Sequence, residues 1–191
     1  GIVETSSPDH HTYGYRFYPN KVKGEGFFLT AFKKDGKAAE HNIGFKNKPS
    51  LLTKTELEIL KPYLKNSSDL SFFRWQDEII AVPAKLLNDV LLIQSVLYIK
   101  KAAVKIGKII RNELIPDHEF ALSNLVSDDI PAVSLELEDA LQYLRRQELQ
   151  TNTTVKGWAL IKYRDAILGW AKILPGRINN YYPKGWRILN K

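Results

Sequence analysis

The stretch Asn180-Tyr181-Tyr182-Pro183-Lys184-Gly185-Trp186-Arg187 gathers cations, aromatic rings and an amide around a turn-forming Pro-Lys-Gly. A lysine or arginine neutralises a phosphate and releases its counterions, and an aromatic face accepts an unstacked base. The stretch belongs to a wider basic tail. From Lys156 onward stand eight basic residues (Lys156, Lys162, Arg164, Lys172, Arg177, Lys184, Arg187 and Lys191) and one acid, Asp165. That tail by itself supplies the whole net charge of +7, so the rest of the chain is balanced. It also carries three of the four tryptophans, Trp158, Trp170 and Trp186. This mixture suits RNA better than a purely charged tail would. The composition equally fits a small β-rich domain whose aromatics are core and whose lysines are solvated.

Other chemistry is poorly represented. The chain has no cysteine, which excludes a disulfide framework, a thiolate zinc site, an iron–sulfur cluster and a thiol nucleophile. The histidines (His10, His11, His41 and His118) are not at metal-ligand spacing. Gly24-Glu25-Gly26 resembles half of a dinucleotide fingerprint, but no third glycine follows and a strand comes next. No serine stands in a nucleophile-elbow context and no carboxylate pair stands out. No active site of its own is legible. The longest apolar stretch, Val90 to Ile99, is interrupted by Gln94 and Ser95, well short of a membrane span. No membrane partner is expected.

The elements that must position the tail read as follows. The chain has 191 residues, enough for one large or two small domains. Residues 13–18 and 26–32 read as two strands around a turn at Pro19-Asn20, the second buried on both sides. Residues 35–50 are polar and aperiodic, a linker. Thr53 and Glu56 form a capping box for a helix that Pro62 must kink or end. Residues 72–75 and 78–82 read as strands and 84–92 as a helix. Residues 96–110 read as a hairpin turning at Gly107. A short helix starts at Pro116-Asp117-His118-Glu119, where His118 is either a cap-region partner or packed. A longer helix over 135–147 places Leu137, Leu141 and Leu144 on one face. Strands over 157–163 and 167–174 join through Arg164-Asp165, and 186–189 closes the β region after a turn at Gly176.

Two ends of the chain resemble a known family. Tyr15-Arg16-Phe17-Tyr18-Pro19 with Lys23-Gly24-Glu25-Gly26-Phe27-Phe28-Leu29 resembles the closing hairpin of the catalytic domain in the Nol/Nop/Sun family of RNA cytosine-5-methyltransferases. Lys156-Gly157-Trp158, Leu168-Gly169-Trp170, Lys172, Asn180 and Tyr182-Pro183-Lys184-Gly185 with Arg187 resemble the C-terminal PUA-like module of the RsmF-type bacterial enzymes. Gly107 through Pro116-Asp117-His118 and Ala121-Leu122 resemble the segment between the C-terminal modules, and Tyr143-Leu144-Arg145 the helix before the PUA-like strands. The set covers nearly the whole chain in order. Departures are Asn20 for histidine, Arg146 for glycine, Asn179 for a basic residue, Tyr181 for histidine and Trp186 for leucine.

The resemblance implies an α+β chain: the terminal hairpin of a truncated Rossmann-like methyltransferase domain (1–34), the linker (35–50), a mixed α/β module (51–118) and a PUA-like small β-barrel (119–191). It implies that S-adenosylmethionine and two catalytic cysteines belong to a catalytic domain preceding Gly1 in cis. The chain alone then needs no cofactor and is not an enzyme. That agrees with an opening of Gly1-Ile2-Val3 in place of a start methionine, which reads as a piece of something longer. The implied partner is small-subunit rRNA, in the cytoplasm. The expected RNA contacts are Lys156, Lys172, Arg177, Asn180, Tyr181, Lys184 and Arg187. Trp158 and Trp170 read as barrel core, while Tyr182 and Pro183 either join the contact loop or pack the barrel closed. The other reading is a protein-interaction module that stabilises the catalytic domain or docks on ribosomal protein.

Overall fold

A computed structural model describes residues 1–33, 50–149 and 153–189. The expected linker lies outside them, apart from Ser50. The chain divides into two compact units, Gly1–Asn42 and Ile43–Lys191.

In the first unit, strands β1 (Ile2–Ser6), β2 (Tyr13–Phe17) and β3 (Phe27–Leu29) form an antiparallel sheet in the order β1-β2-β3. Tyr15 pairs with Glu4 on one side and Leu29 on the other. The β2–β3 hairpin matches the reading; β1 is an addition. Burial does not match. Phe27, Phe28 and Leu29 are 62%, 52% and 51% exposed, and Gly14 is the one buried residue among those described in this unit. The physical reason is the lack of cover: no helix among the described residues of the unit lies over the sheet. A small sheet with no packed face is only marginally stable alone.

The second unit holds two sheets. The first is an antiparallel meander, β4 (Ser50–Leu51), β5 (Leu70–Trp75), β6 (Glu78–Pro83), β7 (Val104–Ile110) and β8 (Glu113–Pro116). Helix α1 (Lys54–Leu60) starts on the expected capping box: Glu56 N–H donates to the Thr53 hydroxyl, and Thr53 N–H donates to the Glu56 carboxylate at 2.8 Å. It ends before Pro62, which sits in a 3-10 turn over Lys61–Tyr63. Helix α2 (Leu87–Val96) follows another 3-10 turn at Ala84–Leu86, later than expected. The hairpin expected over 96–110 lies instead at 104–116. Arg111 and Asn112 make its turn with φ of 50° and 61°, the backbone a two-residue hairpin turn requires. Gly107 sits inside β7 at φ 137°, where the β6 pairing slips and the chain crowds against Ile115 and Asp117.

The second sheet runs β12-β11-β10-β9, with β9 (Ala132–Leu135), β10 (Gly157–Tyr163), β11 (Ala166–Leu174) and β12 (Arg177–Asn180). β9 is parallel to β10 and the rest are antiparallel. Helix α3 (His118–Ala121), capped by Asp117, precedes it, and α4 (Leu137–Arg145) makes the crossover from β9 to β10. The sheet does not close into the expected barrel: four strands in that order leave β9 and β12 as edges. The segment 186–189 is not a strand; Lys184–Trp186 is a 3-10 turn. On α4 the buried residues are Ala140 and Tyr143, whereas Leu137 is exposed, so the helix face is rotated from the leucine reading.

Strand β10 explains how the unit holds together. Its side chains alternate between two cores. Trp158 and Leu160 join Trp170, Phe120, Leu60, Ile79, Ile106 and Leu114 on one face. Ala159 and Ile161 join Ala171, Ile173, Ala140 and Tyr143 on the other. The first core draws on residues on both sides of position 118, the expected module boundary.

Candidate nucleic-acid interface

The strand pair β11–β12, the end of α4 and the loop after β12 together shape a surface trough. Three depressions make it. One, of about 610 Å³, is lined by Glu148, Lys156, Gly176, Arg177 and Ile178. The next, of about 620 Å³, runs past Arg146, Gln147, Glu148, Ile178, Asn179 and Lys184. The third and smallest reaches Arg145, Gln147 and Arg187. Glu148 and Ile178 belong to the first two, and Gln147 to the last two, so the depressions adjoin one another in a row. Lys156, Arg177, Arg146, Lys184, Arg145 and Arg187 line the trough against one acid, Glu148. None of these six cations forms an ion pair among the described residues. A concave surface of one sign focuses its field on an anionic partner.

The residues expected at the RNA surface divide into two groups. Lys156, Arg177, Lys184 and Arg187 are exposed and line the trough. Lys172 is turned inward. Its ammonium pairs with Glu113 and lies 5.5 Å from the centre of the Trp158 ring, while Trp158 Nε1 donates to the same carboxylate at 3.2 Å. That cluster ties β11 and β10 to β8. Asn180 and Tyr181 line the trough with their backbone neighbours, yet their side chains are engaged elsewhere. Asn180 Nδ2 donates to the Tyr143 carbonyl, and Asn180 Oδ1 accepts from Tyr182 N–H, both at 2.8 Å. The Tyr181 ring meets Trp158 edge to face at 4.4 Å.

These internal bonds fix the loop that presents Lys184 and Arg187. Arg146 contributes from the end of α4, donating to the Tyr182 carbonyl. It caps that helix at φ 59° and ψ 32°, left-handed backbone that glycine adopts most easily, which accounts for the glycine expected there. Tyr182 and Trp186 each pack a ring edge-to-face with His118, at 5.2 Å. Tyr143 Oη donates to the Trp170 carbonyl and Trp170 Nε1 to the Asp117 carbonyl, both at 3.0 Å. Gly169, at φ 147°, leaves the space that this corner fills: a Cβ there would stand 2.6 Å from Tyr143 Oη and 2.8 Å from His118 Nδ1. The roles of His118 and Arg146 were not evident from sequence; the only signals were a histidine beside a helix cap and the departure from glycine.

His118 is buried and its Nδ1 has no hydrogen-bond partner among the described residues. Burial holds its pKa below the ordinary histidine value, opposed by the neighbouring Asp117. Burial also raises the Tyr143 hydroxyl far above the ordinary tyrosine value, so it stays a donor. The unfolded chain therefore binds a proton at His118 more readily than the folded chain does, and stability falls as pH drops through the ordinary histidine value. Between pH 7.5 and 5.5 the wild type should lose more stability than His118→Gln, by urea unfolding at each pH. Equal losses would place the titration elsewhere.

Among the described residues no group of three or more His, Cys, Asp or Glu is placed to hold a metal ion, and no helix is long and apolar enough to cross a membrane. Residues 131–188 match the family model of the Methyltransferase RsmF PUA domain. The match runs from the residue before β9 to just past the loop after β12, and all six trough cations fall inside it. No curated protein matches the chain.

Proposed function

We propose that this chain is the RNA-handling C-terminal part of an S-adenosylmethionine-dependent rRNA cytosine-5-methyltransferase of the Nol/Nop/Sun family, acting on small-subunit rRNA in the bacterial cytoplasm. The observation that carries the reading is the cation-lined trough, whose six cations all lie inside the segment that resembles an RsmF PUA domain. Its cations follow one another along a groove, and among the described residues none is paired with an acid.

Catalysis is assigned to a Rossmann-like domain preceding Gly1 in the same polypeptide. Two features support placing S-adenosylmethionine in that domain. Gly24-Glu25-Gly26 runs into strand β3, where a dinucleotide-binding loop would run into a helix, and the chain has no cysteine to serve as nucleophile. The uncovered faces of the first unit support the same assignment, since strands closing a larger sheet would find their cover in that domain.

A second reading, docking on a protein, draws support from Ile188 and Leu189, exposed at the third depression of the trough. Salt separates the two. Titrated with a small-subunit rRNA hairpin, the chain should lose affinity linearly in log–log coordinates, with a slope of about −3 to −5 for four to six phosphate contacts. A flat salt dependence would favour protein docking.

A further inference from the structure

We propose that Trp186 is a stacking platform for one unpaired nucleobase, so that the RNA held by the trough is one with a single-stranded loop or bulge at the Lys184–Arg187 end. The inference rests on the RNA-binding reading above and names the class of RNA.

The tail has three tryptophans and the structure treats them differently. Trp158 and Trp170 are 7% and 0% exposed and belong to the core; Trp186 is 63% exposed. An apolar ring of that size is ordinarily buried, and nothing in its own sequence neighbourhood forces it outward. Its position is nevertheless fixed. Pro183 opens the 3-10 turn at φ −58°, Trp186 N–H donates to the Pro183 carbonyl at 3.1 Å, and the next amide but one, Ile188 N–H, donates to the Leu144 carbonyl at 3.1 Å. The ring meets His118 at an interplanar angle of 86°, and a perpendicular contact of that kind uses at most one face of the indole. A held ring needs little further ordering when a base arrives, which lowers the entropic cost of binding.

The flanking residues complete the chemistry. Lys184 and Arg187 flank Trp186 in the chain, are exposed and line the trough, so a base on the indole would have its phosphates near cations. That pairing of aromatic face and basic groove is how single strands are bound. Tyr98, more exposed still, offers a contrast: Lys100 lies over its ring at 4.7 Å and occupies a face, whereas no cation covers Trp186 among the described residues. The resemblance predicts leucine at 186, a residue with no planar face, so the platform is a property of this chain.

The test pairs Trp186→Leu and Trp186→Phe with a small-subunit rRNA hairpin in which each unpaired loop position is replaced in turn by an abasic nucleotide. Binding is read by titration at several salt concentrations, with thermal melts alongside. Trp186→Leu should weaken binding about ten-fold or more with the salt slope unchanged, and Trp186→Phe should restore most of it. One abasic position should cost the wild type a similar factor, and that penalty should vanish in Trp186→Leu. Should the leucine variant fail to fold, the abasic series on the wild-type protein decides alone. Equal affinity for every abasic RNA, or a leucine variant that is folded and binds as tightly as the wild type, overturns the platform. In either case Lys184→Ala still flattens the slope if the trough reading holds. Wild-type binding that is absent or insensitive to salt overturns both, and leaves Trp186 with Ile188 and Leu189 as a protein-docking patch.

Discussion

Gly107→Ala will lower the stability of the second unit by about 3 kcal/mol or more, a loss at the upper end of what single substitutions cause. The residue lies at φ 137°, backbone that L side chains rarely adopt. A Cβ there would also be driven into the Ile115 carbonyl oxygen and would stand 2.9 Å from the Asp117 amide nitrogen. Both neighbours are backbone, and neither can swing away as a side chain tip would. The Asp117 amide donates to the Ile106 carbonyl at 2.8 Å, and Asp117 caps α3, so the strain propagates to the element that carries His118. The urea midpoint should fall sharply, while Gly185→Ala, with open space around the added atom, should move it little. An unchanged midpoint for Gly107→Ala would mean that β7 and β8 do not approach as closely as the bulge requires.

The second large effect concerns affinity. Replacing Lys156, Arg177 and Lys184 together by alanine should weaken binding of the rRNA hairpin by about two orders of magnitude in low salt and flatten the log–log slope by about 2 to 3 units. The fold should survive, since exposed charges contribute little to stability. Lys172→Ala should behave oppositely. Its loss removes the ion pair with Glu113 and the cation over the Trp158 ring, so it should lower the melting temperature while leaving the salt slope near the wild-type value. Similar slopes for the triple variant and the wild type would remove the trough as the phosphate track.

Much of the local structure was legible because it depends on chemistry confined to a few residues. The Thr53–Glu56 box and the stop at Pro62 needed only capping and ring geometry. The β10–β11 hairpin was placed although its turn lacks glycine; Arg164 adopts φ 52° there, a strain repaid by the long apolar strands it joins. Gly107 was misplaced because a glycine between β-branched residues signals a turn and a bulge equally well, and Arg111-Asn112 took the turn. Strand β12 was missed because Arg177-Ile178-Asn179-Asn180 has poor strand propensity; it exists because β11 offers it an edge. The misread face of α4 has a related cause, since Tyr143 is buried by partners that its helix does not contain.

The candidate site was legible in charge and not in geometry. The concentration of cations after Lys156 could be counted. Which side chains point outward could not, because Lys172 and the amide of Asn180 are withdrawn by Glu113 and Tyr143, residues distant in the chain. Arg145 and Arg146 join the trough from a helix end whose only signal was the departure from glycine at 146.

The most direct test of the trough is an NMR titration of the isotope-labelled chain with the small-subunit rRNA hairpin, following backbone amide shifts. The perturbed amides should cluster at 145–148, at 156 and along 176–188, with the β4–β8 sheet little affected. Perturbations concentrated on the first sheet, or no perturbation at RNA concentrations that saturate a basic control peptide, would contradict it.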